Sequence, residues 1–297
     1  MSAAIHFRRV ATNGIHLNVA EAGPEDGPLA LLLHGFPENW YGWRHQIEPL
    51  AAAGFRVVVP DQRGYGSSDR PRGVAAYRLD ELVADVLGLV DAAGRERVAI
   101  VGHDWGGIVA WAAIERHPDR FDRAVILNAP HPAVMQRAIR QDVRQLARSW
   151  YTFAFQVPGL PERLLGRKNH RALERGLTGT SRPEAFSHAD LELFRAAWAQ
   201  PGALRAMIHW YRAAARSPNL PLPQPPIRVP TLILWGAKDH ALGPGLARLS
   251  YAQCRDARLE WLPDATHWLA HEEPARVIAA ILGFLGGARP APPTGEA

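Results

Sequence analysis

The sequence predicts an α/β fold with a mostly parallel central sheet, flanked by helices, and an inserted helical cap. Short apolar runs that do not alternate with polar residues recur along the 297-residue chain, as expected of strands buried on both faces. Helical periods separate several of these runs, which favours crossover connections between parallel strands. From about residue 134 to residue 219 the apolar runs stop and only helical periods continue. This change inside a parallel fold predicts a helical insertion.

Seven apolar or β-branched runs are predicted to be strands. They are residues 15–20, 29–33, 55–59, 98–101, 124–127, 231–235 and 259–262. Between the third and fourth runs, Leu79, Leu82, Val83 and Val86 follow the spacing of one helix face and predict a helix. A second helix is predicted over 108–116.

The same change in composition predicts the domain organisation. Residues 1–133 form the first segment of the α/β core, residues 134–224 the helical cap, and residues 225–286 the second core segment. A proline-rich stretch, SPNLPLPQPPIRVP at 217–230, is interpreted as the linker that returns the chain to the core. Residues 287–297 contain too few apolar side chains to pack and are expected to be disordered.

Composition excludes several classes of function. The formal charge is +5, but the basic excess is spread along the chain rather than gathered in runs, so no nucleic-acid partner is expected. A single cysteine, Cys254, excludes an intrachain disulfide and a Cys-rich metal site. No apolar run is long enough to cross a bilayer, so we expect a cytoplasmic protein without membrane insertion. No metal, nucleotide or flavin signature occurs, and a cofactor-free monomer or homodimer is expected.

The stretch VGHDWGG, residues 101–107, predicts a strand that ends, a sharp turn and a helix that begins. Asp104 lies at the tip of this turn, where the nucleophile of the G-x-S-x-G pattern lies. Gly102 and Gly106 provide the small neighbours that such a turn requires. The alternative is that Asp104 is an ordinary N-cap of the helix over 108–116.

Other strand ends carry candidate partners for Asp104. His34-Gly35-Phe36-Pro37 follows a buried run, and the backbone N–H groups of Phe36 and Trp105 are predicted to form an oxyanion hole. Asp239 follows the run 231–235, and His267 follows the run 259–262. Nucleophile, acid and histidine in this order are typical of one class of catalytic triad.

Two nearby residues compete for the roles of acid and histidine. Asp264 is disfavoured because it lies in the same loop as His267, whereas Asp239 follows the carboxyl end of another strand. His271 lies at the start of a predicted helix and is expected at the surface.

Several motifs together resemble the epoxide hydrolases of the α/β-hydrolase family, close to the soluble type. They are HGFPENWYGWRHQ, VPDQRGYGSSDRP, GHDWGG, WGAKDHAL and DATHW. In the predicted cap, SWYTFAFQVPGLPE and QPGALRAMIHWYRAA resemble the two family segments that each carry a catalytic tyrosine, matching Tyr151 and Tyr211. The resemblance extends from about residue 29 to residue 280. It implies the α/β-hydrolase fold.

The resemblance also implies a reaction, the hydrolysis of an epoxide with water to a vicinal diol. Asp104 would open the ring and form an ester, because a carboxylate with an ordinary pKa of about 3.9 is ionised without help. His267, polarised by Asp239, would then activate the water that cleaves the ester. Tyr151 and Tyr211 would donate protons to the epoxide oxygen, although ordinary cap packing is the alternative reading of both.

An apolar substrate site is expected beside these groups. The residues predicted to line it are Phe36, Pro37, Trp105, Trp150, Phe155 and Trp210. Several of them would also serve core or cap packing. Such a lining favours an uncharged, hydrophobic epoxide over a charged one.

Two other functions fit parts of this pattern. A haloalkane dehalogenase would use the same aspartyl ester, but Phe36 stands where similar dehalogenases commonly carry asparagine, and the tyrosine pair has no task in halide release. A non-catalytic ligand-binding protein on the hydrolase scaffold would be expected to have lost part of the catalytic set, whereas Asp104, Asp239 and His267 are all present.

Overall fold

The computed structural model describes residues 4–286, and the tail 287–297, predicted to be disordered, lies outside them. Eight strands form one sheet within the described residues. They are β1 His6–Thr12, β2 Ile15–Ala22, β3 Leu29–Leu33, β4 Arg56–Pro60, β5 Val98–His103, β6 Phe121–Leu127, β7 Thr231–Gly236 and β8 Ala257–Leu262. All seven predicted strands are present.

Twelve α-helices connect and cover these strands within residues 4–286. Those of the first segment are α1 Arg44–Ala52, α2 Leu79–Ala92 and α3 Trp105–Arg116. Those between β6 and β7 are α4 Pro132–Gln141, α5 Val143–Arg148, α6 Trp150–Ala154, α7 Leu160–Thr178, α8 His188–Trp198 and α9 Ala203–Ala215. Those that follow β7 are α10 Pro244–Tyr251, α11 Leu269–Glu272 and α12 Pro274–Leu285.

The strand order across the sheet is β1-β2-β4-β3-β5-β6-β7-β8. The six strands from β4 to β8 in this order pair in parallel, whereas β1 pairs with β2, and β2 with β4, in antiparallel fashion. The prediction of a mostly parallel sheet flanked by helices is confirmed. Strand β1 was missed, because this edge strand carries exposed polar side chains and lacks the continuous apolar run of the buried strands.

Two apolar layers cover the faces of the sheet. Successive side chains of a strand point to opposite faces, so Leu31 and Leu33 belong to one layer and Ala30 and Leu32 to the other. Helices α2 and α3 pack in the first layer, and α1 and α12 in the second. The carboxyl ends of five adjacent parallel strands, β3, β5, β6, β7 and β8, therefore meet at one protected edge.

Between β6 and β7 the described chain forms six α-helices and no strand, in agreement with the predicted insertion. The first of these helices begins at Pro132, two residues before the predicted start of the cap, and the exact domain bounds stay a prediction. The proline-rich stretch 217–230 is irregular apart from a single bridge between Ile227 and Cys254. Among residues 4–286 we find no helix whose length and apolar character would suit it to cross a membrane.

Candidate active site

Asp104 occupies the turn between β5 and α3, the central strand-to-helix junction of the sheet. Its backbone has φ 49° and ψ −120°, a conformation that costs free energy for any residue other than glycine and is found mainly at functional sites. A Cβ atom at Gly102 would collide with the backbone of Gly106, and one at Gly106 with the backbone of Leu33. The sequence therefore forms this turn because both flanking glycines leave room for it.

The carboxylate of Asp104 points away from the helix that follows it. The N-cap position of α3 has no side-chain hydrogen bond, which contradicts the alternative that Asp104 is an ordinary helix cap. Instead, the backbone N–H of Phe36 donates to Oδ1 of Asp104 at 2.8 Å. A Cβ atom on Gly35 would overlap the Asp104 side chain, so a glycine is required beside it. Trp105 is the first residue of α3, and the role of its N–H in the oxyanion hole stays a prediction.

His267 lies between two carboxylates. Its Nδ1 is 2.8 Å from Oδ2 of Asp239, and its Nε2 is 3.6 Å from Oδ2 of Asp104. Asp239 is buried and accepts hydrogen bonds from the backbone N–H groups of Ala241 and Leu242 at Oδ1. The competing acid, Asp264, lies at the surface and pairs with Lys238 at 2.8 Å. The structure thus brings Asp104, Asp239 and His267 together.

Asn128 is a site residue that sequence reasoning missed. It is fully buried at the end of β6, with φ 39°, and its side-chain N–H donates to Oδ2 of Asp239. Its side-chain oxygen accepts from the backbone N–H of Gly236 at 2.7 Å. Asn128 therefore fixes the orientation of Asp239. The signal that could have found it is its place directly after a buried strand, as for Asp104, whereas Asp239 and His267 lie three and five residues beyond the ends of their strands.

The charged groups of this cluster raise the pKa of His267 and lower the pKa of Asp239. Burial alone would lower the pKa of His267, but the carboxylates of Asp239 and Asp104 outweigh it and raise this pKa to about 10. Burial alone would raise the pKa of Asp239, but His267 and Asn128 hold it below its ordinary value. At neutral pH the imidazole of His267 is therefore protonated beside the charged carboxylate of Asp239.

Tyr151 on α6 and Tyr211 on α9 bring two phenol groups from the helical insertion to the same cavity as Asp104. Their ring centroids are 5.9 Å apart, and the ring of Tyr211 also packs against Phe36 at 5.2 Å. Burial, with a further contribution from the charge of Asp104, raises the pKa of both phenols above its ordinary value. Both hydroxyls are therefore protonated at neutral pH and can donate hydrogen bonds into the cavity.

The cavity above Asp104 has a volume of about 320 Å³. Asp104 and Arg140 are the only charged side chains among the described residues that line it. Of the residues predicted to line a substrate site, Trp105 and Trp210 do so. Apolar side chains from α2, α4 and the proline-rich stretch complete the wall, among them Leu79, Leu82, Met135, Ile139 and Leu220.

Four predicted lining residues lie elsewhere. Trp150 is 68% exposed on the outer side of α6, because it and Tyr151 are consecutive residues of a helix and so point in different directions. Pro37 is buried, and its carbonyl accepts the indole N–H of Trp198 on α8 at 2.6 Å, so it joins core and cap rather than facing the cavity. Phe36 and Phe155 are not among the residues that line this cavity, and the rings of both pack against Tyr211. The peptide bond between Phe36 and Pro37 is cis.

A buried acid, Glu38, links three parts of the site. One carboxylate oxygen lies 2.7 Å from Nε2 of His271 and the other 3.2 Å from Nδ1 of His103. Nε2 of His103 in turn donates to the backbone carbonyl of His267 at 2.8 Å. The expectation that His271 lies at the surface is wrong, because its side chain is fully enclosed and hydrogen-bonded to this buried acid.

The same network reaches the helical insertion through Arg44. This guanidinium donates to Nδ1 of His271 at 2.7 Å and pairs with Asp190 of α8 at 3.0 Å. Burial alone would raise the pKa of Glu38, but its contacts with His271 and His103 hold it well below the usual range. The backbone of His267 is thus joined to the cap by a chain of buried polar contacts.

Comparison with known proteins identifies the family. The family model described as alpha/beta hydrolase fold matches residues 28–274, most of the chain. The chain belongs to the α/β-hydrolase family. Both the predicted α/β-hydrolase fold and the resemblance to its epoxide hydrolases are confirmed at this level.

Relatives of this α/β hydrolase match over nearly its whole length. It is 42% identical to the AB hydrolase superfamily protein YfhM of Bacillus subtilis, over 93% of this chain and 96% of the relative. It is 35% identical to epoxide hydrolase 4 of Mus musculus, over 94% of this chain and 79% of the relative. The crystal structure of epoxide hydrolase A from Mycobacterium thermoresistibile superposes with a TM-score of 0.84 at 31% identity, covering 96% of this chain and 99% of that one. The prediction of an enzyme of the epoxide hydrolase type agrees with these relatives.

Proposed function

We propose that this chain hydrolyses a hydrophobic epoxide to a vicinal diol by way of an ester on Asp104. The observation that carries the proposal is the arrangement around this one carboxylate. Oδ1 accepts the N–H of Phe36, Oδ2 faces His267, and two tyrosines of the cap line the same cavity. The epoxide hydrolases among its relatives support the reaction class.

In the first step, Oδ2 of Asp104 attacks a ring carbon and the bond from that carbon to the epoxide oxygen breaks. The oxygen takes a proton from Tyr151 or Tyr211 as it leaves. Because the charge of Asp104 raises the pKa of both phenols, its loss on ester formation makes them better acids during the step that uses their proton. Two donors fixed on the cap also orient the ring for in-line attack.

In the second step, His267 removes a proton from water, and the resulting hydroxide attacks Cγ of Asp104. The charge that develops on Oδ1 is stabilised by the N–H of Phe36 and, as predicted from the sequence, by that of Trp105. When this tetrahedral species collapses, the bond from Cγ to the substrate oxygen breaks and the proton of the added hydroxyl group passes to that oxygen, which releases the diol and restores the carboxylate. The first step leaves the donor tyrosine as a phenolate. Esterification removes one of the two charges that raise the pKa of His267, so the imidazole returns its proton to this phenolate and can then act as a base.

The substrate class follows from the cavity. Arg140 is the only basic side chain among the described residues that line it, and the remaining wall is mostly apolar. A hydrophobic epoxide of modest size fits a volume of about 320 Å³. Water is the second substrate.

A single turnover in ¹⁸O-labelled water tests the proposal, with excess enzyme and a panel of aryl and alkyl epoxides beside haloalkanes. We expect unlabelled oxygen in the first diol formed and ¹⁸O in the carboxylate of Asp104, because water attacks Cγ rather than the substrate carbon. Label in the diol of the first turnover would instead indicate direct attack by water. Turnover of haloalkanes but not of epoxides would favour the dehalogenase alternative.

A further inference from the structure

A row of exposed apolar side chains runs along the outer side of the cap. Val143, Leu146, Trp150 and Phe153 recur at alternating spacings of three and four residues through α5 and α6, which only Ser149 separates. This spacing places them on one side of the helical stretch. Val143 is 78% exposed and Phe153 is 52% exposed. Exposed apolar side chains that are grouped in this way normally mark a binding surface.

The row continues at the same spacing into the next helix. Val157 lies in the turn after α6, and Leu160 and Leu164 lie in the first turns of α7; all three are exposed. We call the seven side chains from Val143 to Leu164, with the exposed basic residues of the segment 137–171, the outer cap face.

Exposed basic side chains are frequent in the same part of the cap. Residues 137–171 contain two acidic residues, Asp142 and Glu162, and the latter is engaged by Arg212 at 2.6 Å. The same residues contain eight exposed basic side chains, namely Arg137, Arg140, Arg144, Arg148, Arg163, Arg167, Lys168 and Arg171. This excess of six exceeds the +5 of the whole chain, although no more than two of these basic residues are consecutive.

We propose that the outer cap face docks on an anionic lipid surface. Exposed aromatic and aliphatic side chains enter the boundary between headgroups and acyl chains, and arginines around them pair with anionic headgroups. Such docking lays short helices in the plane of the membrane and requires no spanning segment. A second copy of the chain could bind here only by placing its own eight basic side chains against the eight of this face. Repulsion between these like charges disfavours a dimer through this face.

Two residues of the outer cap face also belong to the wall of the active-site cavity. Phe153 and Arg140 are exposed and line the cavity that contains Asp104. Docking would therefore bring this part of the cavity wall to the lipid. If the proposed function holds, a hydrophobic epoxide dissolved in the lipid layer enters the cavity without first crossing water.

Flotation with lipid vesicles tests the docking directly. We expect the wild-type protein to float with vesicles of phosphatidylcholine containing about one third phosphatidylglycerol at low salt, and to be released by about 0.5 M salt. Vesicles of phosphatidylcholine alone should retain much less. Absence of flotation at low salt, or equal binding to both vesicle types, would overturn the proposal without any variant.

Two pairs of matched variants locate the surface. Arg144→Glu with Arg163→Glu should lower binding to the anionic vesicles at least about tenfold, whereas the same charge change at exposed Arg255 and Arg276 should alter it less than about twofold. Equal losses in both pairs would mean that net charge, not this face, drives the binding. The side chains of Arg144 and Arg163 are exposed, and circular dichroism checks that each variant is folded.

The apolar pair is Val143→Ser with Trp150→Ser, compared with Leu249→Ser and Tyr251→Ser on α10, which are also exposed. We expect only the first pair to weaken binding. Light scattering on the same samples tests for self-association through this face. A wild-type dimer that becomes a monomer in the variant Val143→Ser with Trp150→Ser would overturn lipid docking in favour of self-association. Because these measurements follow lipid binding rather than turnover, their failure and that of the proposed reaction are distinguishable.

Discussion

Nε2 of His267 lies 3.6 Å from Oδ2 of Asp104, close enough for each charge to be felt by the other. Asp239 holds the opposite nitrogen of the same ring at 2.8 Å. The imidazole is therefore stabilised in its protonated form as long as Asp104 is a free carboxylate. In the proposed mechanism, conversion of Asp104 to an ester removes that contribution, so ester formation controls when His267 becomes available as a base.

Replacing His267 by glutamine should stop the reaction after the first step. Ring opening needs the carboxylate and the tyrosines, whereas release of the ester needs the base. We expect the substrate mass to appear on the peptide that contains Asp104, as measured by mass spectrometry after brief incubation with an epoxide. Asp239→Asn should accumulate the same adduct, with kcat lower by about 10²- to 10⁴-fold. Asp264→Asn is the control and should turn over normally, because Asp264 lies at the surface.

Phenylalanine at both Tyr151 and Tyr211 should abolish ring opening. Each hydroxyl is a proton donor in the proposed first step, and general acid catalysis contributes about 10²- to 10⁴-fold. Neither the diol nor the ester adduct should form, even when His267→Gln is added to the double variant. The control is Tyr251→Phe on exposed α10. Full activity in the double variant would show that the tyrosines serve only packing.

Asn128→Gly should slow ester hydrolysis more than ring opening. Glycine tolerates the φ of 39° at this position, so the change removes the hydrogen bond to Asp239 without adding backbone strain. Loss of a hydrogen bond to a charged group corresponds to about 1.5–3 kcal/mol, or about a tenfold to hundredfold decrease in the hydrolysis rate. Rapid-quench measurements should show the ester accumulating. Asn169→Gly, at an exposed position with φ 54°, should leave both rates unchanged.

The contribution of His267 to the free energy of unfolding should decrease as the pH rises. Its pKa is about 10 in the folded chain and has an ordinary value of 6.5, so protonated His267 stabilises the fold fully below about pH 6.5. This contribution is lost as the pH rises through about 10. The difference in free energy of unfolding between wild type and His267→Gln should therefore be larger at about pH 6 than at about pH 10, as measured by urea denaturation. His240→Gln, at an exposed position, is the control.

Glu38→Gln should destabilise the fold, although Glu38 makes no contact with the cavity. Its carboxylate is buried between His103 and His271, and removing one partner of a buried charged network costs about 3 kcal/mol. A lower midpoint of urea denaturation would measure the loss. Glu48→Gln, at an exposed position of α1, should change the midpoint little. An unchanged midpoint for Glu38→Gln would mean that the network tolerates a neutral side chain.

Much of the site follows from one feature of the sequence, namely polar residues that follow the carboxyl ends of strands. Asp104 comes directly after β5, and Asp239 and His267 lie three and five residues beyond the ends of β7 and β8. Parallel strands carry their carboxyl ends to a common edge. Asn128 has the same signature, but a single asparagine after a strand reads equally well as a turn residue. Trp150 shows that an aromatic residue in the right segment does not necessarily line the cavity. It is next to Tyr151 in the sequence, but consecutive residues of a helix differ in direction by about 100°, so its side chain does not face the cavity.

The sequence by itself determined the order of strands along the chain, the position of the helical insertion and the identity of the groups that follow the central strands. These depend on local patterns of apolar and polar residues, which the chain displays directly. Only the tertiary structure decided that His271 is buried against Glu38, that Asn128 orients Asp239, and that the seven apolar side chains of the cap from Val143 to Leu164 are exposed. Such relationships join residues far apart in the chain, and burial depends on which elements pack over them rather than on their immediate neighbours.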